Sequence, residues 1–180
     1  ESELMATFRS FQTKEKVYFP SYAILDINGM NIIDTDIDNI RTNERNTSYY
    51  KTAALTDSSY VSSVEFVKNS RESFINFISP IRNVNKQTIS FLRVRYDAHI
   101  LQSLIESNVG LVGARSYPII IDDNGLRLAD GSAPNNLYRS IVPIPTDQYK
   151  ALLAQNRVPS FLSETDITLG QKDFYSAIFE

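Results

Sequence analysis

Few side chains in this sequence are of the kinds that make and break bonds. His99 is the single histidine among 180 residues, and cysteine is absent. Without Cys, disulfides, thiolate zinc sites and thiol catalysis are excluded together. A catalytic triad or a histidine-based metal centre needs partners, and the sequence clusters none around His99. "DTDIDN" at 34–39 sets carboxylates at alternate positions, as the start of a calcium-binding EF-hand loop does. Such a loop needs Gly at its sixth position and Glu at its twelfth. Asn39 and Arg45 stand there instead, so the stretch reads as a solvated acidic loop. The six glycines are not grouped into a phosphate-cradling loop. Asn46-Thr47-Ser48 fits a glycosylation sequon, which has meaning only in a eukaryotic secretory route. No catalytic residue, metal ligand or cofactor is therefore expected.

What remains is the chemistry of recognition. In "ISFLRVRY", Arg93 and Arg95 alternate with Leu92, Val94 and Tyr96, so they share a strand face with Phe91. A guanidinium partly withdrawn from water needs a counter-charge, and its fork matches a carboxylate. The plainer use of such a pair is a solvated or salt-bridged edge. Tyr49, Tyr50 and Tyr60 combine apolar rings with hydroxyls that want partners, which suits either a pocket wall or half-buried packing. Arg45 adds a third guanidinium in the loop just before Tyr49.

The elements that must position these residues follow from periodicity. Leu4, Phe8 and Phe11 form one apolar helical face, predicting a helix over 4–15. Strands are expected near 21–27, 30–35, 60–67, 73–81 and 89–97, with a short helix at "YYKTAAL". "SFINFISPI" is apolar on both faces, which places it inside a sheet covered on each side. Asp97 is the expected N-cap of a helix over "AHILQSLIESN" that ends near Gly110. The layout is α+β, with a five-stranded antiparallel sheet.

One signature then recurs. "LDINGMNIIDT" at 25–35 and "IDDNGLRLADG" at 121–131 share Asp, any residue, Asn-Gly, an apolar-rich run and Asp, at an interval of 96 residues. Each should form a hairpin with positive φ at its Asn-Gly turn. A strand-like "YRSIVPI", a helix over "TDQYKALLAQ" capped by Thr146 and a last helix in "LGQKDFYSAIF" follow. The division expected is 1–110 as a complete module and 111–180 as a second one, either naturally reduced or cut short.

Composition narrows the partners. Net charge is −3 with a pI near 5.3, and no basic block is present, which argues against nucleic acid. No apolar run approaches the roughly 18–20 residues that span a bilayer. The opening "ESELMATF" lacks an initiator Met, implying a piece of a longer chain.

The order and spacing of the N-terminal helix, the "LDINGMNIIDT" hairpin, "YYKTA", the "SPI" strand end and the second hairpin resemble the double Cache sensor domains. These are tandem PAS-like modules of bacterial and archaeal transmembrane receptors. The likeness covers 1–110 and extends more loosely over 111–145. It implies an extracytoplasmic domain of a membrane-anchored histidine kinase, chemoreceptor or cyclase, binding a small metabolite in its membrane-distal module. It also implies a homodimer through the N-terminal helix. Amino-acid-binding members of that family carry Arg two residues before the aromatic-Tyr-Lys segment and Asp on the last strand. Thr47 and Arg95 occupy those positions here, with Arg45 displaced by two. The resemblance therefore points to an anionic ligand among Arg45, Tyr49, Tyr50, Tyr60, Arg93 and Arg95, under a closing loop at 36–48. The rival reading is a cell-surface interaction or dimerisation module that senses no small molecule.

Overall fold

The computed structural model describes residues 3–14, 19–110, 113 and 116–168. The chain falls into two compact units, Glu1–Ser63 with Phe74–Asp97, and Val64–Ser73 with Ala98–Glu180. The helix expected to close the first module thus packs within the second unit. The helix expected in "LGQKDFYSAIF" lies outside the described residues.

The first unit contains α1 (Glu3–Lys14), β1 (Ser21–Asp26), β2 (Asn31–Asp34), α2 (Ser48–Thr56) and β3 (Tyr60–Val61). After β4 (Glu65–Phe66), which belongs to the second unit, β5 (Ser73–Arg82) and β6 (Thr88–Asp97) complete it. The sheet runs β2-β1-β6-β5-β3, and every pairing along it is antiparallel. The two-sided apolar strand, β5, is paired along both edges, as its pattern requires. Helices cover both faces. Phe8 of α1 is buried and stacks on Tyr22 at 5.6 Å, and Phe19 does so at 5.5 Å. On the opposite face, Tyr49, Tyr50 and Ala53 of α2 pack against Ala23, Leu25, Ile78 and Phe91.

The strand expected over 60–67 is interrupted. Ser62 Oγ accepts the Asn76 amide at 2.9 Å and donates to the Ser63 carbonyl at 2.7 Å. The Ser62 amide still donates to the Asn76 carbonyl at 2.8 Å, but a side chain takes the next ladder position. The strand breaks until Glu65–Phe66, which pairs with β5 as a sixth strand where five were expected.

The second unit holds α3 (Ile100–Glu106), β7 (Ile119–Ile121), β8 (Arg127–Asp130), α4 (Thr146–Ala154) and α5 (Glu164–Thr168). Its β7–β8 hairpin is a sheet of its own. Two capping expectations are corrected. Asp97 remains in β6, and His99 stands at the α3 N-cap, where its side chain makes no capping bond. Thr146 is helical rather than capping, because its hydroxyl donates to Glu164 at 2.7 Å and Pro145 takes the cap. "YRSIVPI" forms only an isolated bridge at Ser140, since Tyr138 adopts φ 65° and prolines follow.

The repeated signature folds the same way twice. Gly29 donates to the Asp26 carbonyl at 3.0 Å, and Gly125 donates to Asp122 at 3.0 Å. Asp26 Oδ1 accepts the amides of Asn28 and Met30, each at 2.8 Å, and Asp122 Oδ1 those of Asn124 and Leu126, each at 2.9 Å. Only the glycines take positive φ, 80° and 77°, because each loop is a three-residue turn with the glycine in the left-handed position. Both Asn residues stay out of that region, which corrects the two-residue turn expected. The correspondence runs further. Arg41 donates to Asn31 and Tyr138 to Arg127, both at 2.8 Å, with φ of 71° and 65°.

Candidate functional site

The α2-covered face of the first sheet carries apolar residues at one end and charge at the other. Alternation along β6 places Phe91, Arg93 and Arg95 on this face, opposite Leu25, Ala23 and Ser21 of β1. Arg93 is wholly buried. Its Nη2 donates to Asp34 Oδ2 and to Glu44 Oε1, each at 2.9 Å, while Nε reaches Glu44 Oε2 at 3.3 Å. Nη1 donates to the Ser21 hydroxyl, which in turn donates to Asp34 Oδ1. Asn31 bridges the two acids, 2.7 Å from Asp34 and 3.3 Å from Glu44. Tyr49 completes the cluster by donating its hydroxyl to Glu44 Oε2 at 2.7 Å.

The elements explain how six side chains meet. β1 and β2 bring Ser21, Asn31 and Asp34 through the hairpin register. The segment after the short 3-10 turn at 37–39 runs beside β2, where Asn31 donates to Thr42 at 2.9 Å, and this delivers Glu44. Thr47 then caps α2, its hydroxyl accepting the Tyr50 amide, so Tyr49 points down onto Glu44. Burial works to raise the Glu44 pKa, but the Arg93 charge and the hydrogen bonds outweigh it and hold the carboxyl below its ordinary value. Burial and the neighbouring Glu44 charge push the Tyr49 hydroxyl upward, which keeps it a donor.

The six residues singled out by sequence separate into four groups. Arg93 and Tyr49 meet through Glu44, and their polar groups are committed to protein partners. Tyr50 is buried beside Phe91, and its hydroxyl donates to the Ile27 carbonyl at 2.8 Å. Arg45 is exposed and stands apart from the cluster. Arg95 and Tyr60 are the half-buried pair. Arg95 Nε donates to Asn76 Oδ1 at 3.2 Å, and its guanidinium lies 5.2 Å from the Phe74 ring. Tyr60 packs on the apolar cluster from β3. Sequence reading missed Ser21, Asn31, Asp34, Glu44 and Asn76. The signal for Asp34 was the Asp that closes both copies of the hairpin signature.

Among the described residues, no group of three or more acids and histidines gathers as a metal site, and no helix is long and apolar enough to cross a membrane.

No protein-family model matches the chain, and no curated protein matches it. Solved structures do. An extracellular ligand-binding receptor of Desulfohalobium retbaense matches 78% of this chain and 26% of its own, at 12% identity and a TM-score of 0.61. The sensor domain of the Vibrio cholerae histidine kinase DctB matches over 84% and 56%, at 14% identity and 0.58. The ligand-binding domain of a Pseudomonas aeruginosa amino-acid chemoreceptor, in complex with GABA, matches over 78% and 62%, at 17% identity and 0.57. The chain therefore spans between about a quarter and under two thirds of these structures. Its fold is that of PAS/Cache-like sensor domains.

Proposed function

We propose that this chain is the extracytoplasmic ligand-sensing part of a membrane-anchored signalling receptor of the histidine kinase, chemoreceptor or cyclase type. The observation that carries the reading is the fold, shared with sensor domains of a chemoreceptor and of a histidine kinase. The first unit is the membrane-distal sensing module, and the second is a reduced module that follows it.

The ligand is a small carboxylate-bearing metabolite, and its anchor is Arg95 rather than Arg93. Arg93 already has two carboxylates of its own, so a third would find its charge neutralised. Arg95 is half-buried at the open end of the same face, with Tyr60 and Phe74 supplying apolar surface. An arginine there disfavours an ammonium group, which separates this site from one built for amino acids. Signalling requires the ligand to favour one of two conformations. The Arg93 cluster supplies the coupled element, since it joins β6, the hairpin, the 40–47 segment and α2.

Isothermal titration of the purified chain with mono- and dicarboxylic acids and amino acids tests this. A carboxylate should bind, and Arg95→Gln should weaken it at least tenfold with the melting temperature unchanged. Amino-acid binding that survives Arg95→Gln would refute the anchor. Silence towards every compound would favour the interaction module, for which exposed Leu4 (39%) and Phe11 (49%) on α1 supply a surface for a second copy.

A further inference from the structure

The second unit contains a cleft of about 400 Å3, within the range of small-molecule pockets. Its floor is apolar: Phe66 and Val158 are buried, and Leu153 and Ala154 of α4 form one side. Lys68 and Lys150 stand at the cleft as exposed cations, and among the described residues no acidic one lines it. Hydrogen bonds from backbone amides tie the walls to each other. The Phe66 amide donates to the Asn156 carbonyl at 2.8 Å, and the Asn69 amide to Ser160 Oγ at 2.9 Å. Asn156, at φ 57°, turns the chain after α4 so that Val158 and Ser160 return along the cleft. The cleft is thus set before any ligand arrives, which lowers the ordering cost of binding.

We infer that this cleft is a second small-molecule site, separate from the Arg95 face, and that it takes an amphiphilic anion: a carboxylate on an aliphatic or aromatic body. An apolar floor selects the body by area, and two lysines without a competing acid select the sign of the head group. A zwitterion would gain less, because among the described residues no carboxylate lines the cleft to receive its ammonium.

The test is calorimetric titration of the full chain with octanoate, 1-octanol and octylammonium at low ionic strength. Octanoate should saturate one site, and the two other compounds should bind at least about tenfold more weakly, the gap narrowing with salt. Shortening the acid should cost up to about fourfold per methylene. Each of Lys68→Gln and Lys150→Gln should weaken octanoate by roughly threefold to fivefold, as expected of exposed charges. Leu153→Trp, which fills the cleft from a partly exposed position, should abolish binding. Arg95→Gln should leave it unchanged, so failure here and failure of the first-unit site are distinguishable. The inference is overturned if octanoate shows no saturable binding, if 1-octanol binds equally well, or if the lysine variants and Leu153→Trp have no effect.

Discussion

Removing the buried guanidinium is the sharpest test of the first-unit cluster. Arg93→Met keeps the length and apolar stem of the side chain but leaves Asp34 and Glu44 facing each other without the cation that bonds them both. Breaking a buried ion pair from one side costs about 3–5 kcal/mol, because a charge stays behind unpaired. Here two carboxylates are stranded, so the upper part of that range applies. At roughly 4 °C per kcal/mol for a domain of about 60–100 residues, the first unit should lose about 16 °C or more at pH 7.5. Differential scanning calorimetry, with hydrogen exchange at the β6 amides, locates the loss.

The pH dependence fixes the cause. In the native chain Glu44 has a lowered pKa, so its contribution is present above the unfolded value of 4.5 and is lost as pH falls through the folded one. In Arg93→Met the burial of Glu44, its largest influence, is opposed only by the Tyr49 hydrogen bond and the Arg95 charge, and it raises that pKa. The variant therefore loses stability as pH rises and regains it on acidification. Both trends narrow the gap between the two proteins towards pH 4.5. Asp34→Asn with Glu44→Gln, added to Arg93→Met, should recover much of the loss by removing the stranded charges. A loss below about 1 kcal/mol at pH 7.5, or a gap that does not change with pH, would refute this reasoning.

Tyr49→Phe should cost about 1.5–3 kcal/mol in urea denaturation, since it removes a 2.7 Å bond to a charged acceptor. In alkaline spectrophotometric titration of the native chain, one tyrosine should resist ionisation until unfolding, as burial beside Glu44 raises the Tyr49 pKa. Gly29→Ala should destabilise by more than about 1 kcal/mol, because its Cβ would stand 2.7 Å from the Arg45 backbone at φ 80°. Lys86→Gly should instead raise the melting temperature, by up to about 1 kcal/mol of stability, since Lys86 holds φ 64° in the β5–β6 turn.

Much of this arrangement was legible because it is local. The Asp-x-Asn-Gly signature dictates its own hydrogen bonds, and both copies turn alike. β5 announced its central place by being apolar at 74, 75, 77 and 78. The charged cluster was not legible, because its members come from four separate segments and meet only through strand register. Glu44 sits in the polar run "RTNERNTS", where nothing marks one acid as destined for burial. Arg93 shared its face with Phe91, which indicated cover, but the sequence could not say whether a ligand or a carboxylate of the chain would balance it. The break at Ser62 was hidden for a similar reason: a serine in a strand pattern does not show where its hydroxyl will bond.

The two hairpins show what a buried carboxylate demands of a module. Asp34 and Asp130 occupy matching positions, both are buried, and both accept the amide two residues ahead, at 2.9 and 2.8 Å. Each still needs a cation. In the first unit the sheet continues to β6, and Arg93 arrives from there at 2.9 Å. In the second, the sheet among the described residues has only β7 and β8, so no further strand can carry a guanidinium across. The arginine is on the hairpin itself: Arg127, three residues before Asp130 and 3.4 Å from it, stands where the first copy has Asn31. Under the sensing role proposed above, the difference bears on signalling as well as stability. Compensation from β6 couples Asp34 to the strand that also bears Arg95, so the ligand proposed for Arg95 would reach the hairpin through one strand and one ion pair. Compensation within β8 instead keeps the ion pair on a single strand, between residues three apart.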